Sequence, residues 1–518
     1  LTVLNRSHDR LWTSLNLAYE RLLPPAQDLF RAMGVLAPGA PFDLEALVAI
    51  LGLPPAEVRW RLDALEMAAF LRDAPSASGQ SHYQMHHLLH HLARELAGSD
   101  PLHQVQAEHH ARFYAGRAHP LRAEQNSPEW SRTVRELLPD LPNVRLGQAW
   151  AAERAHPLAV DYFLNAAPYL LATRDLETHL AWGQAALPVV EADPAAFPAL
   201  ERLAFYGQLP HPDPSQKRAY LEQALATARE EMGEDETSYQ VYSLCWLARF
   251  LYEEAGQAME AAPVLAEALA LAAGRGRPAL ETHVLGEVAS FFLLLHDRPG
   301  LEALAVRLPV GPPGMHAAGL SGAHYHGVRA DVLRAVGRWA EAEAAYDQVI
   351  ALHDGIGDER HGVTARLWRA LCRARRGDVE GRDEDLAWVQ ERLAGSSVAG
   401  QVRYQLTVSE LALTAGEAQR ALEALQALPE GWAVELDGSM GRSRYSLALE
   451  AWLVWRQVYL ALGRNEEVEA AAAQVQAAAQ ARGFVLRFEE DQAVGEATLS
   501  AAPDLLEQVV GGRPPLLQ

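Results

Sequence analysis

Glycine followed five residues later by alanine recurs in the C-terminal half of this 518-residue chain, and successive glycines lie 81, 40, 39 and 47 residues apart. Glycine readily adopts the positive φ at which many helices end, and alanine lets two helices cross closely. The recurrence therefore predicts helix pairs stacked as in a tetratricopeptide array. The pairs are Gly256/Ala261, Gly337/Ala342 and Gly416/Ala421, while Gly377 and Gly463 keep the glycine alone.

The best single copy of the repeat is GVRADVLRAVGRWAEAEAAYDQVIAL, residues 327–352. It is typical of a helix, a glycine turn and a second helix. Because the first interval is about twice the others, we expect a degenerate copy around residues 287–304.

The order of patterns in the first hundred residues predicts a small winged-helix domain. Apolar residues at helical spacing precede residues 69–86, where two short apolar arms flank a turn rich in Ser, Ala and Gly, as in a β-hairpin. A histidine-rich helix follows the hairpin. The helical stretches are residues 11–22, 25–36, 43–51 and 55–68.

The fold class predicted for the whole chain is all-α: a small winged-helix domain followed by a tetratricopeptide-like α-solenoid. Helical periodicity with Pro and Gly breaks dominates, and β-branched residues are few. The predicted domains are a winged helix at 1–98, a helical connector at 99–200, the repeat solenoid at 201–500 and a C-terminal tail at 501–518.

Composition narrows the possible partners and the location of the chain. A formal charge of −22 argues against a nucleic-acid-binding surface spread over the chain, because phosphate repels carboxylate. Cys245 and Cys372 stand far apart in apolar stretches, which is typical of free thiols in a reducing compartment. No apolar run reaches 18 residues and no N-terminal signal pattern is present, so we expect a soluble cytoplasmic protein. Because the chain begins with Leu, we expect a fragment or a processed product.

Catalytic motifs are missing from the sequence. Lys217 is the only lysine, and no glycine stands near it, so the chain contains no phosphate-binding loop of the Walker A type. A lysine Schiff base is nearly excluded for the same reason. No nucleophile elbow, zinc-protease helix or dinucleotide-binding motif occurs either. We therefore expect this chain to be no enzyme, with no catalytic residue and no cofactor of its own.

Four histidines fall within six positions in YQMHHLLHHLARE, residues 83–95. His86/His90 and His87/His91 are four residues apart and share helix faces, which is spacing that suits a metal. A zinc site needs a third or fourth protein ligand, and none is clearly on the same face. We therefore expect no metal, and we interpret His87, His90 and His91 as a partly solvated helix face.

Several stretches in the first 190 residues resemble the STAND signal-transduction ATPases, in their NB-ARC-like bacterial regulator branch with helical-repeat sensors. The order and spacing of these stretches make the resemblance specific, and together they cover about the first third of the chain. They are SLNLAYERLLPPAQDLFRAMGVLAPGAPFDLEALVAILGL (14–53), YQMHHLLHHLARE (83–95), AEHHARFYAGRA (107–118), LPNVRLGQAWAAERA (141–155) and LAWGQAALPVV (180–190).

The resemblance implies that this chain is the sensor-bearing part of a larger switch. In the family, a nucleotide-binding core precedes the winged helix, so ADP or ATP is expected only with an upstream domain. The family's Met-His-Asp motif places a histidine near the ADP phosphates, which makes His86 and His87 the implied nucleotide-sensing relay. His87 departs from the family pattern, in which an aspartate stands at that position.

Binding of an inducer is predicted in the groove of the repeats. Counting from each turn glycine assigns a mixed aromatic and charged set to the inner wall, and Trp and Arg are enriched in recognition surfaces. Each residue taken singly is better explained by packing or solvation, whereas the set as a whole favours a groove. By the same count, Trp339, Tyr346, Trp452, Trp455 and Tyr459 are core residues. The predicted groove residues are Trp246, Phe250, His283, His324, Asp331, Arg334, Arg375, Arg403, Glu410 and Gln457.

The sequence leaves the inducer open among a protein, a peptide and a small molecule. It also leaves two other functions open. One is a freestanding scaffold or adaptor that holds protein partners, and the other is a DNA-binding transcriptional regulator. The would-be recognition helix, residues 57–70, offers Arg59 and Arg61 but also acidic residues, whereas a groove-reading helix usually presents a cleaner basic face. Direct nucleic-acid contact and membrane contact are therefore not expected.

Overall fold

A computed structural model describes most of the chain, and the residues in it divide into two compact units. Unit 1 comprises Leu1–Gln125 and Glu129–Phe197, and unit 2 comprises Asn126–Pro128 and Pro198–Gln518. The residues described are 12–74, 82–98, 100–173, 175–209, 211, 213–230, 237–274, 276–311, 319–356, 359–393, 398–432, 444–481, 483–489 and 492–495. The predicted tail, 501–518, lies outside them, and the other predicted domain limits stay predictions.

Unit 1 is mainly helical, with short strands near its start. Its strands are β1 (Pro41–Phe42), β2 (Leu71–Ala74) and β3 (His82–Met85), and 3₁₀ turns lie at Met33–Val35, Leu138–Asp140 and Pro194–Ala196. Its helices are α1 (12–20), α2 (Pro24–Ala32), α3 (Leu44–Leu51), α4 (Pro55–Met67), α5 (His87–Ala97), α6 (Pro101–Ala123), α7 (Trp130–Leu137), α8 (Leu141–Glu153), α9 (Leu158–Ala172) and α10 (Leu176–Ala192).

The strands form one antiparallel sheet in the order β1-β3-β2. β2 and β3 make the hairpin that the sequence predicts, with Leu71 opposite Met85. β1 is an addition that the sequence did not predict, because two residues are too few for a periodic signal; its Phe42 lies opposite Tyr83. Helix α3 follows β1 at once, since the carboxylate of Asp43 accepts a hydrogen bond from the Ala46 amide at 2.8 Å and caps the helix.

One buried asparagine joins the start of unit 1 to its later helices. The Oδ1 of Asn143, on α8, accepts hydrogen bonds from the Ala37 amide at 2.7 Å and from His110 Nε2 at 3.3 Å. Its amide nitrogen donates to the Pro41 carbonyl at 3.4 Å. Burial lowers the pKa of His110 to about 4, so its ring is neutral and can donate to Asn143.

Unit 2 is a succession of antiparallel helix pairs. It ends in a two-stranded antiparallel sheet, β4 (Leu486–Glu489) with β5 (Gln492–Gly495). Its helices are α11 (Ala199–Gln208), α12 (Pro214–Glu230), α13 (Thr237–Glu253), α14 (Ala258–Gly274), α15 (Pro278–Leu295), α16 (Arg298–Arg307), α17 (Gly319–Ala335), α18 (Trp339–Ile356), α19 (Glu359–Arg376), α20 (Val379–Arg392), α21 (Val398–Thr414), α22 (Ala418–Gln426), α23 (Arg444–Ala461) and α24 (Asn465–Gln480).

From α13 onward the described helices form pairs, and a residue with positive φ lies between the two helices of each pair. We call the helix before this turn the A helix and the helix after it the B helix. The repeat glycines predicted from the sequence occupy five of these turns, and the alanines that follow three of them are fully buried. The fold is therefore the predicted all-α solenoid. The turn glycines are Gly256, Gly337, Gly377, Gly416 and Gly463, with φ of 65°, 81°, 82°, 78° and 67°.

The predicted degenerate copy is also a helix pair, α15 and α16. His296 holds its turn with φ 52°, a conformation that costs a residue with a Cβ atom roughly 1–2 kcal/mol. Asp297 then caps α16 by accepting a hydrogen bond from the Gly300 amide at 3.0 Å. The spacing of the turn glycines could not identify this copy, because its turn residue is a histidine whereas the other turns have glycine.

The two ends of the repeat array touch within unit 2. A Cβ atom placed on Gly483, after the last helix, would lie 2.7 Å from the carbonyl oxygen of Gly256 in the first turn. One apolar core also joins Leu225 near the start to Leu449 and Phe484 near the end.

Helix α15 is the one candidate for a membrane span among the described helices, by length and composition alone. The sequence did not predict a span here, because Glu281 and Glu287 interrupt the helix and leave no continuous apolar run of 18 residues. However, 61% of its apolar window is buried, and it packs between α14, α16 and α17. These contacts make it a core helix of unit 2.

Candidate functional site

Charged side chains from three A helices meet a tryptophan from a fourth A helix inside the repeat array. We call this set the A-helix cluster. Three of its members, Trp368, Arg403 and Glu450, bridge α19, α21 and α23 by direct contact. The A-helix cluster consists of Asp331 and Arg334 on α17, Trp368 on α19, Arg403 and Glu410 on α21, and Glu450 on α23.

Trp368 lies between two arginines. The guanidinium carbon of Arg334 is 3.8 Å from the centroid of the Trp368 ring, and that of Arg403 is 4.5 Å away. The ring is 8% exposed, so both cation–π contacts are largely removed from water, which strengthens them.

Each of these arginines is also held by an acidic or phenolic group. Arg334 donates from Nε to the Tyr346 hydroxyl at 3.3 Å, and that hydroxyl donates to Asp331 Oδ1 at 2.5 Å. Arg403, 8% exposed, donates to the carboxylate of Glu450 in an ion pair. Both guanidinium groups are therefore fixed in place.

Glu410 differs from its neighbours because its carboxylate makes no hydrogen bond or ion pair with any described residue. Burial raises its pKa, and the nearby Glu450 carboxylate adds to the rise, while Arg334, Arg403 and Arg375 oppose it. The pKa of Asp331 is also raised, mainly by burial. For both carboxylates, burial outweighs the opposing effect of the nearby arginines on the pKa.

Arg375 and Gln457 lie on the same A helices, seven residues beyond Trp368 and Glu450. Arg375 is exposed, and its guanidinium carbon is 5.6 Å from the centroid of the Trp339 ring. Its guanidinium has no hydrogen bond or ion pair within the described part of the chain. Gln457 is exposed and touches no member of the cluster through a recorded hydrogen bond.

His324, the predicted groove residue on α17, belongs to a second charged network. Glu287 is only 1% exposed. Its carboxylate accepts a hydrogen bond from Arg249 Nε at 2.9 Å and another from the Tyr252 hydroxyl at 3.4 Å. His324 is exposed, with its Nε2 3.8 Å from the Glu287 carboxylate. This network joins the first three A helices and holds them together.

Three predicted groove residues pack against their neighbours. Phe250 is 2% exposed in the apolar core, so its assignment to the inner wall is corrected to the core. The half-buried ring of Trp246 covers Gly207, where an added Cβ would lie 2.2 Å from the ring. His283, also half-buried, meets Tyr242 edge to face at 4.8 Å. Counting from a glycine places a residue on a helix face, but the neighbouring helix decides whether that face is covered.

The predicted relay histidines lie at the surface of unit 1. His86 and His87 are both exposed, with ring centroids 4.1 Å apart, and the His86 Nδ1 accepts a hydrogen bond from the Leu88 amide at 3.3 Å. His90 departs from the predicted solvated face. It is 3% exposed, and its Nε2 lies 2.5 Å from the Leu36 carbonyl. Burial lowers its pKa, so it is a neutral structural donor.

The remaining candidates for metal binding or nucleophilic chemistry form no reactive site in the described part of the chain. Among the described residues, no three His, Cys, Asp or Glu side chains are placed to hold a metal ion. Lys217 contacts both Glu254 oxygens at 2.9 and 2.8 Å. Cys245 and Cys372 are buried free thiols, and burial raises the pKa of each to about 12, which makes them unreactive.

The two arginines that a DNA-reading helix would use are engaged inside unit 1. Arg59 donates to the Tyr83 hydroxyl, and Arg61 pairs with Glu57 on its own helix. The exposed face of α4 also carries Asp63. No observation on this helix favours the DNA-binding alternative.

The sequence count missed Trp368, Glu450 and His296. Trp368 and Glu450 lie seven residues before Arg375 and Gln457, which is two helical turns and hence the same face. Both would have been identified by also taking the position seven residues before each predicted groove residue. His296 gave no such signal, although the Glu450 carboxylate and Arg334 both influence its pKa, which burial lowers.

No family model matches the chain, and no curated protein matches it. One similar solved structure is a STAND signal-transduction ATPase with a tetratricopeptide repeat sensor from Pyrococcus horikoshii, at 13% identity and a TM-score of 0.33. The match covers 81% of this chain and 65% of that one. Because the TM-score is low, the fold of this chain is assigned from its own helices and turns.

Proposed function

We propose that this chain is the sensor arm of a STAND-type signal-transduction switch. The repeats bind an inducer at the A-helix cluster, and a winged helix formed by α2 to α4 and the β2–β3 hairpin passes the change to a nucleotide-binding core outside this chain. The chain itself catalyses nothing in this proposal. ADP or ATP belongs to the absent core, and the location is the cytoplasm.

The observation that carries the proposal is the Glu410 carboxylate. A protein that only needed to hold its repeats together would gain nothing from a partly desolvated carboxylate that makes no hydrogen bond or ion pair. Such a group is typical of a binding site, where stability is given up for a ligand. Its neighbours Arg334 and Arg403 are fixed against Trp368, which supplies the preorganisation that binding favours.

Signalling requires that the ligand bind one state of the switch more tightly than the other. The cluster suits this requirement because it draws on four helix pairs, so a ligand there changes how the pairs are held relative to one another. His86 and His87 are exposed on unit 1 and are free to face an additional domain. The freestanding adaptor remains the alternative, and it needs neither the relay nor the core.

The proposal is tested by thermal unfolding of the purified chain in fractions of a cell extract from its host. A ligand at 100 times its Kd stabilises the folded state by about 2.7 kcal/mol. We expect at least one protein-free fraction to raise the Tm of the wild-type chain and of Trp388→Leu, but not of Trp368→Leu. Trp388 is a matched control because it lies on a B helix between Arg366 and Arg392, at 3.7 and 4.0 Å.

Two outcomes would contradict the proposal. The first is that no fraction stabilises the wild-type chain. The second is that Trp368→Leu and Trp388→Leu respond alike, since the stabilising molecule would then bind elsewhere. A stabilising fraction whose active component is a protein would instead favour the adaptor.

A further inference from the structure

We propose that the segment from Gly483 to Leu486, which leads into β4, is a clasp that closes the repeat array on its own first turn, the turn at Gly256. The array exchanges between this closed form and an open form. In the open form the contact between the clasp and the first turn, which we call the seam, is broken while the helix pairs stay folded. The inference goes beyond the proposed function and does not depend on it, since it concerns the array without a ligand.

The seam brings two stretches of backbone very close together. A Cβ atom on Gly483 would lie 2.7 Å from the Gly256 carbonyl oxygen, and 3.7 Å from both the Ala258 amide nitrogen and the Gln257 Cα atom. Gly483 also has φ 76°, a conformation that glycine adopts without steric cost. The space and the backbone conformation therefore both require glycine at this point of the seam.

Buried apolar residues continue across the seam. Phe484 and Leu486 are 2% and 0% exposed, and they belong to the same core as Ala258 and Ala262 of the first pair. Val475 on the last helix, α24, belongs to this core too. The buried apolar residues of α21 and α22 form a separate core with most of those of α23. The last helix and β4 are therefore grouped with the first repeats and not with the pair before them.

Side-chain contacts hold the β4–β5 hairpin to the last helix pair. The guanidinium carbon of Arg456 on α23 lies 3.9 Å from the centroid of the Phe488 ring. The side-chain amide of Gln476 on α24 donates a hydrogen bond to the Leu486 carbonyl. A two-stranded hairpin is only marginally stable by itself in water, so these contacts fix it to the last pair. When the seam opens, the hairpin therefore moves with the last pair and away from the first turn.

Opening the seam costs less than unfolding a helix pair. The stability of a solenoid comes mainly from each repeat and its interfaces with its neighbours, and opening leaves all of these intact. Among the described elements, neither helix of the first pair shares an extended backbone interface with α24 or β4. The closure thus depends on one turn and a few apolar side chains, which is typical of a contact that opens locally.

Two glycine variants separate the seam from backbone strain. Gly483→Ala obstructs the closed form, because its Cβ atom collides with the Gly256 carbonyl oxygen. Gly463→Ala is the matched control, since Gly463 also has a positive φ, 67°, but nothing lies within 4 Å of its Cβ position. Both variants carry similar backbone strain, and only Gly483→Ala acts on the seam.

The first readout is the distance between spin labels on the first and last B helices. The labels are attached after Ala270→Cys on α14 and Ala473→Cys on α24, where both alanines are exposed. Cys245 and Cys372 resist labelling, because both are buried and burial raises the pKa of each to about 12.

The labelled full chain should show a major short distance and a minor longer one. Adding Gly483→Ala should make the longer distance the major one, whereas adding Gly463→Ala should leave the two populations as they are without it.

Amide hydrogen exchange of the unaltered chain gives a second readout that needs no substitution. Peptides from 254–262 and 483–489, on the two sides of the seam, should begin to exchange at the same urea concentration. That concentration should be lower than the one at which the helices α13 and α24 begin to exchange, because the seam opens while the pairs stay folded.

Three results would overturn the inference. The first is a single, unchanged distance in all the labelled chains. The second is an equal shift for Gly463→Ala and Gly483→Ala, which would assign the change to backbone strain. The third is exchange at 254–262 and 483–489 only together with the helices, which would mean that the closure is permanent. None of these results involves a ligand, so the proposed sensor function is tested separately.

Discussion

The guanidinium of Arg334 stacks on the ring of Trp368, with 3.8 Å between its carbon and the ring centroid. The two residues come from the A helices of successive pairs, so this contact ties one repeat to the next through a side chain of the candidate site. Arg403 stacks on the same ring from the following pair. The candidate site and the packing of the repeats therefore share residues, so under the proposed function a ligand bound there would act on repeat geometry.

Replacing Arg403 by Met should destabilise unit 2. The change leaves the Glu450 carboxylate, 30% exposed, without its ion pair, and it removes one contact from Trp368. Breaking a fully buried pair costs roughly 3–5 kcal/mol, so we expect about 2 kcal/mol for this partly exposed one. Urea unfolding followed by circular dichroism measures the loss. Arg420→Met is the control, because Arg420 is 70% exposed and should cost under about 0.5 kcal/mol. Equal losses for the two variants would show that the cluster adds no stability.

Glu410→Gln should stabilise the ligand-free chain at neutral pH. The folded-state pKa of Glu410 is raised, so ionisation costs folding free energy above that pKa, and the cost disappears as pH falls below the unfolded-state value. We expect the gain to appear as a higher Tm than that of the wild-type chain at neutral pH. Thermal unfolding across mildly acidic to neutral pH should show the gain shrinking toward acid. A gain that grows toward acid would mean that the carboxylate is stabilised in the folded chain.

The turns should respond to substitution according to their backbone conformation. Gly377 has φ 82° with nothing near its Cβ position, so Gly377→Ala should lose roughly 1–2 kcal/mol from backbone strain alone. His296 has φ 52° in the equivalent turn, and His296→Gly should gain stability for the same reason. Opposite signs in a denaturant titration would confirm that these turns are equivalent. Loss of stability in His296→Gly would show that its side chain contributes more than the strain costs.

Asn143→Ala should destabilise unit 1 strongly. The change leaves the Ala37 amide and the His110 ring nitrogen buried without an acceptor, and each such group costs about 1–3 kcal/mol. Gln104→Ala on the exposed face of α6 is the control and should be within about 0.5 kcal/mol of wild type. The free energies of unfolding from urea titrations compare the two. A small loss for Asn143→Ala would indicate that water replaces the amide oxygen.

The fold could be predicted from the sequence because its signals are local. A glycine at each turn and a buried alanine five residues later are set by backbone conformation and by close helix crossing, and both are visible in the residue type. The β2–β3 hairpin was predicted for the same reason. β1 was missed, because its pairing with Tyr83 depends on a distant segment and not on its own two residues.

The candidate site could be predicted only in part, since it depends on how helices from distant repeats meet. Asp331, Arg334, Arg403 and Glu410 were placed on inner faces by counting, and the structure brings them together. The same count also chose Phe250, which a neighbouring helix covers. Contact between the ends of the array, at Gly256 and Gly483, joins residues more than two hundred positions apart and leaves no local pattern.

The central claim, that the A-helix cluster binds the inducer, is tested most directly by amide hydrogen exchange with and without an active extract fraction. Slower exchange should appear in peptides from 319–335, 359–376, 398–414 and 444–461, the four A helices that carry the cluster. Peptides from the B helices at 339–356 and 379–392 should change less. Protection confined to the B helices, or to the pocket of about 360 Å³ beside Gln390 and Gln405, would contradict the claim.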